Sequence, residues 1–400
     1  MYDVRILSLK SIEEVKREMA KIGVDTDCVD SLALKSKFIV FKISHIRSAA
    51  CNIIKQSALS VGTDAAVHRD VITGMKENSS LLLFGSLKEI ERVAVKLKGQ
   101  AFGLNEISER LMQRVSRDGK RRTLKTARRQ IELGEKVYIM GVLNVTPDSF
   151  SDGGAFAEKE KAVERAFEMV EQGADIIDIG GESTRPGSER ISETEELERV
   201  IPVISELVGK ISVPVSIDTY KSVVASQAIR NGAEIVNDIS GLRFDEGMKK
   251  VIAETNAGII IMHMLGNPRN MQKEPSYKDT VQEIYDFLKQ RTEYAMSAGI
   301  EKERIIVDPG IGFGKRVSDN FEILDRCGEF KSLEFPILIG ASRKSFIGKT
   351  LGLPVKERLS GSLASCAVAI EEGVDILRVH DVYETRKFVD MYENIRERKV

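Results

Sequence analysis

Short apolar runs rich in Ile and Val recur along the last two thirds of the chain, and most of them end in polar residues. Each run is too short for a buried helix, and a charged, helix-like segment usually separates it from the next. The eight runs are YIMGVLN from Tyr138, ADIIDIGGES from Ala174, VPVSIDT from Val213, EIVNDIS from Glu234, GIIIMHM from Gly258, RIIVDPG from Arg304, PILIGASRK from Pro336 and DILRVHD from Asp375. Eight strands that alternate with helices predict an α/β fold, a (β/α)₈ barrel of the TIM type. Its active site would lie at the carboxyl ends of the strands.

The N-terminal part of the chain shows a different pattern. Two strand candidates, FIVFKI from Phe38 and SLLLFGS from Ser80, lie among amphipathic helical segments near 11–22, 45–58, 88–99 and 104–113. We therefore predict a smaller N-terminal α/β domain over residues 1–112 and a barrel over residues 136–400. The N-terminal domain could cover the closed end of the barrel, promote oligomers or regulate activity, and the first of these is favoured.

Residues 113–135 are predicted as a basic linker and lead-in between the two domains. The stretch from Arg114 to Arg129 carries eight basic residues against one acid, Asp118. A solvated connector is the favoured interpretation, and an electrostatic surface for an anionic partner is the alternative.

Composition excludes several classes of protein. Lys and Arg number 60 and Asp and Glu 61, so nothing global indicates a nucleic-acid partner or an anionic membrane. No apolar stretch approaches the ~18–20 residues that span a bilayer. The four cysteines, Cys28, Cys51, Cys327 and Cys366, have neither metal-ligand nor paired spacing. With no secretion signal in view, these features predict a cytoplasmic protein.

The predicted loops after strands seven and eight carry a cluster of basic residues. Arg343 and Lys344 follow strand seven, while Arg378 and His380 lie two residues apart on strand eight and therefore on one face. Barrels of this type often bind phosphate at these loops. Arg185, in the loop after strand two, adds a planar fork suited to oxyanions. The cluster predicts an anion pocket, although Arg343 could equally point outward into an ion pair.

Acidic and amide side chains end three other strands. Asp218 ends strand three, Asn237 and Asp238 end strand four, and Asp308 ends strand six. An Asp is costly to bury unless it binds something. Carboxylates and amides suit a flat heterocycle with an amino-pyrimidine edge, whose adjacent N–H groups match a carboxylate. Lys344 could meet a ring carbonyl or nitrogen, so the barrel is predicted to hold a planar ring inside and a phosphate at its rim.

Histidine and cysteine positions do not predict a metal cage. His263, in the run IIIMHM, is expected to line the core, and no His/Cys/Asp set has the spacing of a structural zinc site. A weakly held Mg²⁺, bound through one or two protein oxygens and the phosphates of a ligand, stays possible.

Seven motifs, spread over the barrel in order, resemble the dihydropteroate synthase family from about Arg129 to the end of the chain. They are MGVLNVTPDSFSDGG, DIGGESTRPG, VPVSIDT, IVNDISG, VDPGIGFGK, GASRKSFIG and LRVHDV. The resemblance implies condensation of 6-hydroxymethyl-7,8-dihydropterin diphosphate with p-aminobenzoate to give 7,8-dihydropteroate and diphosphate. It also implies Mg²⁺ as cofactor and a homodimer. Residues 1–112 lie outside it.

The resemblance also implies roles for individual residues. The pterin ring would be held by Asp218, Asn237, Asp308 and Lys344. The diphosphate would be held by Asn144, Thr184, Arg185, Arg378 and His380, with Asn144 also near Mg²⁺. The p-aminobenzoate slot would be shaped by Phe150, Pro186, Phe313 and Ser345, together with Lys344. The catalytic residues would be Asp152 and Arg185, on two mobile loops, and Lys344.

Two other functions compete with the synthase. A methyltransferase that uses a methylated tetrahydropterin could bind the ring through the same Asp/Asn group, but it would have no diphosphate for the basic residues to hold. A catalytically silent pterin-binding regulatory protein is the second alternative, and loss of Lys344 or Asp308 would favour it. Both residues are present.

Overall fold

The computed structural model describes residues 3–116, 122–146, 154–183 and 187–397. The chain divides into two compact units, Met1–Lys120 and Arg121–Val400. The first unit is a three-stranded antiparallel sheet with helices, and the second is a barrel, as predicted.

The first unit has three strands in the order β1-β3-β2. They are β1 (Phe38–Arg47), β2 (Asp64–Val67) and β3 (Asn78–Ser86). The helices are α1 (Ile12–Lys21), α2 (Thr26–Ser36), α3 (Ser48–Leu59), α4 (Leu87–Leu97) and α5 (Leu104–Ser116). The core includes Ile54, Leu83, Ile90 and Leu97, all fully buried. The sequence pattern missed β2 and α2, because DAAV is too short to show alternation and α2 is only weakly amphipathic. Helix α5 continues beyond residue 112, where the domain was predicted to end.

The second unit begins with an antiparallel hairpin that lies within the basic stretch predicted as a linker. Its strands are β4 (Arg122–Lys125) and β5 (Gln130–Leu133). Leu124 and Leu133 are fully or almost fully buried and pack against apolar side chains from the amino ends of the barrel strands, among them Met140, Ile176 and Ile260. The hairpin therefore closes the floor of the barrel.

Two arginines of the same stretch form ion pairs beside this floor. Arg122 donates to Asp375 at 3.0 Å and to the Phe335 carbonyl at 2.9 Å. Arg129 lies 2.7 Å from Glu234, which is almost fully buried. These two side chains are therefore paired with acidic residues of the barrel, and binding of an anionic partner by the basic stretch stays a prediction. Alternation of apolar and polar residues in RTLK and QIEL accounts for the hairpin, but the excess of charge masked it.

Eight parallel strands form the barrel, and each corresponds to one of the predicted apolar runs. They are β6 (Tyr138–Asn144), β7 (Ile176–Gly180), β8 (Val215–Asp218), β9 (Ile235–Asp238), β10 (Gly258–Met262), β11 (Ile305–Asp308), β12 (Leu338–Ile339) and β13 (Ile376–Val379). Their order is β11-β10-β9-β8-β7-β6-β13-β12, and a parallel bridge between Val307 and Ile337 joins the two ends. The predicted (β/α)₈ barrel is confirmed.

Helices follow the strands and cover the barrel. They are α6 (Gly154–Glu171), α7 (Glu193–Leu207), α8 (Ser222–Arg230), α9 (Met248–Thr255), α10 (Thr280–Ser297), α11 (Val317–Asp325), α12 (Ser345–Leu351), α13 (Leu359–Glu371) and α14 (Val382–Glu397). Outward strand residues such as Ile177, Ile259 and Val307 pack against them in the largest apolar cluster. None of the helices in the described ranges is long and apolar enough to cross a membrane.

Candidate active site

A layer of polar side chains lies inside the barrel above its apolar floor. Side chains two apart on a strand point to the same face. Four isoleucines of the apolar floor are each followed, two residues later on the same strand, by a polar residue. The pairs are Ile176 and Asp178, Ile235 and Asn237, Ile306 and Asp308, and Ile376 and Arg378. We call Asp178, Ser216, Asp218, Asn237, Asp308 and Arg378 the polar layer. All of them are buried except Arg378, which is slightly exposed, and they lie towards the carboxyl ends of the strands.

Arg378 connects the carboxylates of the polar layer. Its Nε donates to Asp178 at 2.6 Å, and its Nη2 donates to Asp218 at 2.6 Å. Asn237 donates from Nδ2 to the same Asp178 oxygen at 3.0 Å. Asp218 and Asn237, predicted to bind a ring, are therefore brought together with Arg378, which was predicted to bind the diphosphate on the other side. Two of the donors of Arg378 are used inside the barrel, and its binding of a diphosphate stays a prediction.

Several acceptors of the polar layer lack partners. Within the described part of the chain, the Oδ1 atoms of Asp178, Asp218 and Asn237 and the Oγ of Ser216 are buried without a hydrogen bond. An unmet buried acceptor costs roughly 1–3 kcal/mol. Burial raises the pKa of Asp218 to about 7, opposed by the charge of Arg378 and reinforced by that of Asp178. The arrangement suits a ligand that presents several N–H donors to one side of the cavity.

Asp308 and Lys344 complete this side of the barrel. Asp308 accepts a hydrogen bond from the Gly310 N–H at 2.7 Å, and burial raises its pKa. Part of the Lys344 side chain is exposed, but burial of its ammonium, with the nearby charge of Arg378, lowers its pKa to about 8. The charges of Asp308, Lys344 and Arg378 influence one another, so the three side chains lie near one another.

Arg343 and Lys344 point in different directions. Arg343 pairs with Asp381, with Nε 2.9 Å from one carboxylate oxygen. Its backbone is left-handed, with φ of 56°, which turns the chain sharply between the two side chains. The alternative of an ion pair for Arg343 is thus confirmed, and Arg343 does not join the predicted anion pocket.

His380 is close to the polar layer and is held by Ser342. Its Nδ1 lies 3.1 Å from the Ser342 Oγ, and its backbone N–H donates to the same oxygen at 3.2 Å. Burial, together with the charges of Arg378 and Lys344, lowers the pKa of His380 to about 3. A neutral imidazole can bind a phosphate oxygen only as a hydrogen-bond donor, so the predicted cluster of basic residues carries less positive charge than its composition indicated.

Asn144 ends β6 beside the same cavity. A Cβ added at Gly180, the register partner of Asn144, would lie 3.8 Å from the Asn144 Oδ1 and 3.6 Å from the Asp218 Cβ. Among the described residues, no group of three His, Cys, Asp or Glu side chains could hold a metal ion. A cation here would need oxygens of a ligand as well as those of the protein.

The predicted slot residues are only partly described. Phe313 is buried in an apolar cluster with Tyr220, Met262 and Met264, and its ring centroid lies 4.0 Å from the Lys344 Nζ. Ser345 is exposed at the start of α12, next to Lys344. The remaining predicted site residues lie outside the described residues: Phe150, Asp152, Thr184, Arg185 and Pro186.

Sequence reasoning missed Asp178 and Ser216. Asp178 stands inside the apolar run ADIIDIG and is fully buried, so the argument applied to Asp218 would have found it. Asp238, in contrast, does not join the polar layer, although it was grouped with Asn237. It faces the other side of β9, where its carboxylate accepts the N–H groups of Ser240 at 2.7 Å and Leu242 at 2.8 Å.

A buried ion cluster fixes both ends of the loop after β7. The Lys221 Nζ lies 2.6 Å from Glu182 and 2.6 Å from Glu196, and it donates to the Ile191 carbonyl at 2.8 Å. Glu182 stands at the start of this loop, and Ile191 at its end. The cluster therefore ties the loop that carries Thr184 and Arg185 to the segment just after Asp218.

Comparisons with known proteins assign the second unit to one family. A family model described as pterin binding enzyme matches residues 140–380. Dihydropteroate synthase of Clostridium beijerinckii is 46% identical over 276 residues, which is 69% of this chain and 100% of that protein.

Two solved structures have the same fold. A dihydropteroate synthase from Clostridium difficile, determined in the presence of pteroic acid, is 50% identical with a TM-score of 0.62, and the match covers 66% of this chain and 98% of that one. A dihydropteroate synthase from Xanthomonas albilineans with 4-aminobenzoic acid is 40% identical with a TM-score of 0.65, covering 69% and 99%.

The family match covers more than half of the chain, and the barrel carries the polar layer in which the motifs meet. The chain belongs to the dihydropteroate synthase family of pterin-binding enzymes.

Proposed function

We propose that the polar layer binds the ring of 6-hydroxymethyl-7,8-dihydropterin diphosphate and that the pterin-methyl group is transferred to the amino nitrogen of p-aminobenzoate, with release of diphosphate. The observation that carries this proposal is the group of buried acceptors without partners on Asp178, Asp218 and Asn237. A pterin presents adjacent N–H donors along its amino-pyrimidine edge, which would satisfy them. The two solved relatives, one determined in the presence of pteroic acid and one with 4-aminobenzoic acid, support the same pair of reactants.

Residues opposite these acceptors would hold the other edge of the ring. The Lys344 ammonium donates and does not accept, so it suits a ring carbonyl or nitrogen. Asp308 keeps a carboxylate oxygen beyond the one bonded to Gly310. With Asp218 and Asn237, these residues form the ring-binding set that the family resemblance implies.

Charged residues that are already in place would lower the barrier, because they stabilise the charges that develop on both sides of the breaking bond. As the C–O bond to the diphosphate breaks, positive charge develops on the methylene carbon and spreads into the pterin, and the buried carboxylates of Asp178 and Asp218 stabilise it. Asp152 would add to this from its loop. Negative charge grows on the diphosphate, which Asn144, Thr184, Arg185, Arg378 and His380 would bind. The amino nitrogen of p-aminobenzoate then attacks the methylene carbon. The anilinium that forms is acidic and releases its proton to water or to the departed diphosphate, so no strong general base is required.

We propose that Mg²⁺ binds at this site through oxygens of both the protein and the diphosphate. Mg²⁺ is commonly bound by one or two protein oxygens together with substrate phosphates. The Asn144 amide oxygen, close to Asp218 at the end of β6, is a suitable protein ligand. Bound there with the diphosphate, Mg²⁺ would offset the charge of the leaving group.

The state of the protein in the cell is a further part of the proposal. We infer a homodimer, as the family resemblance implies, and a cytoplasmic location. The four cysteines of the described residues are free thiols, which fits a reducing compartment. Sedimentation equilibrium of the full chain tests the dimer, and a single monomeric species would contradict it.

Two measurements test the reaction. Calorimetry with the pterin diphosphate should show binding, and a diphosphate-release assay should show turnover that depends on p-aminobenzoate and yields dihydropteroate. Binding without release in the presence of p-aminobenzoate would indicate a silent pterin-binding protein and overturn the proposal. Absence of pterin binding would overturn the assignment of the polar layer.

A further inference from the structure

A further buried cation lies outside the polar layer, and within the described part of the chain its ammonium forms no ion pair with a carboxylate. Lys315, in the motif DPGIGFGK after β11, is only 3% exposed. Its Nζ lies 3.0 Å from the His263 Nδ1, 3.0 Å from the Phe313 carbonyl oxygen and 3.4 Å from the His263 carbonyl oxygen. A buried ammonium is costly unless its donors are used, and here three acceptors from two chain segments surround it.

The charges around Lys315 leave His263 as an acceptor. Asp308 and Asp319 act on the ammonium from a distance and Lys344 opposes them, so burial prevails and lowers the pKa of Lys315 to about 7. Burial, together with the charges of Lys315 and Arg243, holds the pKa of His263 well below its usual value. A neutral His263 presents an Nδ1 lone pair to the ammonium.

The segment from Gly310 to Lys315 is packed tightly against the chain after β10. Gly310 and Gly314 are left-handed, with φ of 70° and 65°. A Cβ at Gly310 would overlap the His263 carbonyl oxygen, and one at Gly314 would lie 2.7 Å from the Leu265 carbonyl oxygen. Only glycine permits both the conformation and the approach. Lys315 then fastens the far end of the segment to the same His263.

The other side of this segment contacts Lys344. The Phe313 ring lies under the Lys344 ammonium, with 4.0 Å between the Nζ and the ring centroid. A Cβ at Gly312 would lie 3.1 Å from the Lys344 Cδ, so the backbone of the segment also touches the lysine stem. The position of Lys344 thus depends on the segment between Gly310 and Lys315.

We propose that Lys315 is a positioning residue for the condensation: by joining His263 to the carbonyl of Phe313, it fixes the Phe313 ring beneath Lys344 and so shapes the p-aminobenzoate slot. This inference rests on the proposed function, in which Phe313 and Lys344 line that slot. Lys315 itself touches neither reactant and acts through these two side chains.

The test is Lys315→Met in the full-length chain, which removes the ammonium and keeps an unbranched side chain. We expect the KM for p-aminobenzoate to rise by about tenfold or more, because a displaced ring loses contact with the substrate in ground and transition states alike. The turnover number should change by less than about threefold and the Kd of the pterin diphosphate by less than about twofold. A merely structural role would instead lower turnover and pterin affinity together, and that result would overturn the inference.

Two further variants separate the possible failures. Tyr277→Phe removes a hydrogen bond from the Tyr277 hydroxyl to the Gly314 carbonyl, 2.8 Å long, without touching the ammonium, and should leave the KM for p-aminobenzoate nearly unchanged. Phe313→Leu tests the slot directly. If Phe313→Leu raises this KM and Lys315→Met does not, the inference about Lys315 is wrong and the proposed function stands. If neither variant raises it, the slot assignment fails.

The double variant Lys315→Met/His263→Leu covers the case in which Lys315→Met does not fold. Replacing both polar partners by apolar groups leaves no imidazole unpaired and is often nearly neutral for stability. The same rise in the KM for p-aminobenzoate is expected, because the Phe313 carbonyl is still released. An unchanged KM in a folded double variant would overturn the inference.

Discussion

The guanidinium of Arg378 donates to the carboxylate of Asp178 at 2.6 Å inside the barrel. The two residues come from β13 and β7, the strands on either side of β6, so the contact reaches across one strand. Through its second bond, to Asp218, Arg378 makes two buried carboxylates parts of one network. The carboxylates proposed to bind the ring are therefore held together by Arg378, a residue that the family resemblance assigns to the diphosphate.

Asp178→Asn should weaken pterin binding by about tenfold to a hundredfold. The change removes the charge that pairs with Arg378 and one of the buried acceptors offered to the ring, while the side chain keeps its size. Calorimetry with the pterin diphosphate measures the effect. Asp238→Asn is the matched control, because Asp238, on β9 of the same barrel, is equally buried but faces away from the barrel interior. Equal losses of affinity in both variants would show that Asp178 acts only through stability.

Sequence pattern predicted the barrel well because each strand is a separate Ile/Val-rich run with a helix after it. The same logic failed at β4 and β5, where the charges of Arg122 and Arg129 concealed two buried leucines. It could not separate Arg343 from Lys344, because the left-handed backbone that divides them is set by tertiary packing. The sequence pattern also could not show that Arg378 donates two hydrogen bonds to carboxylates, because these partners lie on strands far apart in sequence.

Gly310→Ala should destabilise the protein far more than Gly352→Ala, although both glycines have nearly the same backbone conformation. Their φ values are 70° and 69°. A Cβ at Gly352 meets nothing within 4 Å, so only the conformational cost of roughly 1–2 kcal/mol applies. At Gly310 the Cβ would also overlap the His263 carbonyl oxygen. Urea unfolding of the two variants tests this, and equal losses would mean that the segment after β11 can move aside.

Lys221→Met should lower the free energy of unfolding by about 3–5 kcal/mol at neutral pH, because it leaves two buried carboxylates, Glu182 and Glu196, without their cation. Both carboxylates are at most 6% exposed in their side chains. Lys210→Met is the control: it breaks an exposed pair with Glu206 and should cost less than about 1 kcal/mol. Chemical denaturation of both variants makes the comparison, and similar costs would contradict the importance of burial.

Asp152→Asn should lower the turnover number more than it weakens binding of the pterin diphosphate. The reason is that the carboxylate is expected to stabilise the cation that forms only as the diphosphate leaves, an interaction confined to the transition state. Turnover assays and calorimetry on one preparation give the two numbers. Equal losses in turnover and affinity would instead assign Asp152 to ground-state binding.

The buried Lys315 should give the stability of the protein a distinctive pH dependence. Its pKa is lowered by burial from 10.5 to about 7 in the folded chain. Between these values the unfolded chain holds a proton at this lysine that the folded chain has released, so unfolding takes up a proton. The free energy of unfolding contributed by this group therefore rises with pH, by at most about 1.4 kcal/mol per unit, and is lost as the pH falls towards 7.

Lys315→Met removes the titrating group, so the stability of the wild type relative to this variant should grow between pH 7.5 and 9.5. Urea unfolding at several pH values in this range measures the difference. Parallel curves for the two proteins would show that the Lys315 ammonium stays protonated in its contact with His263.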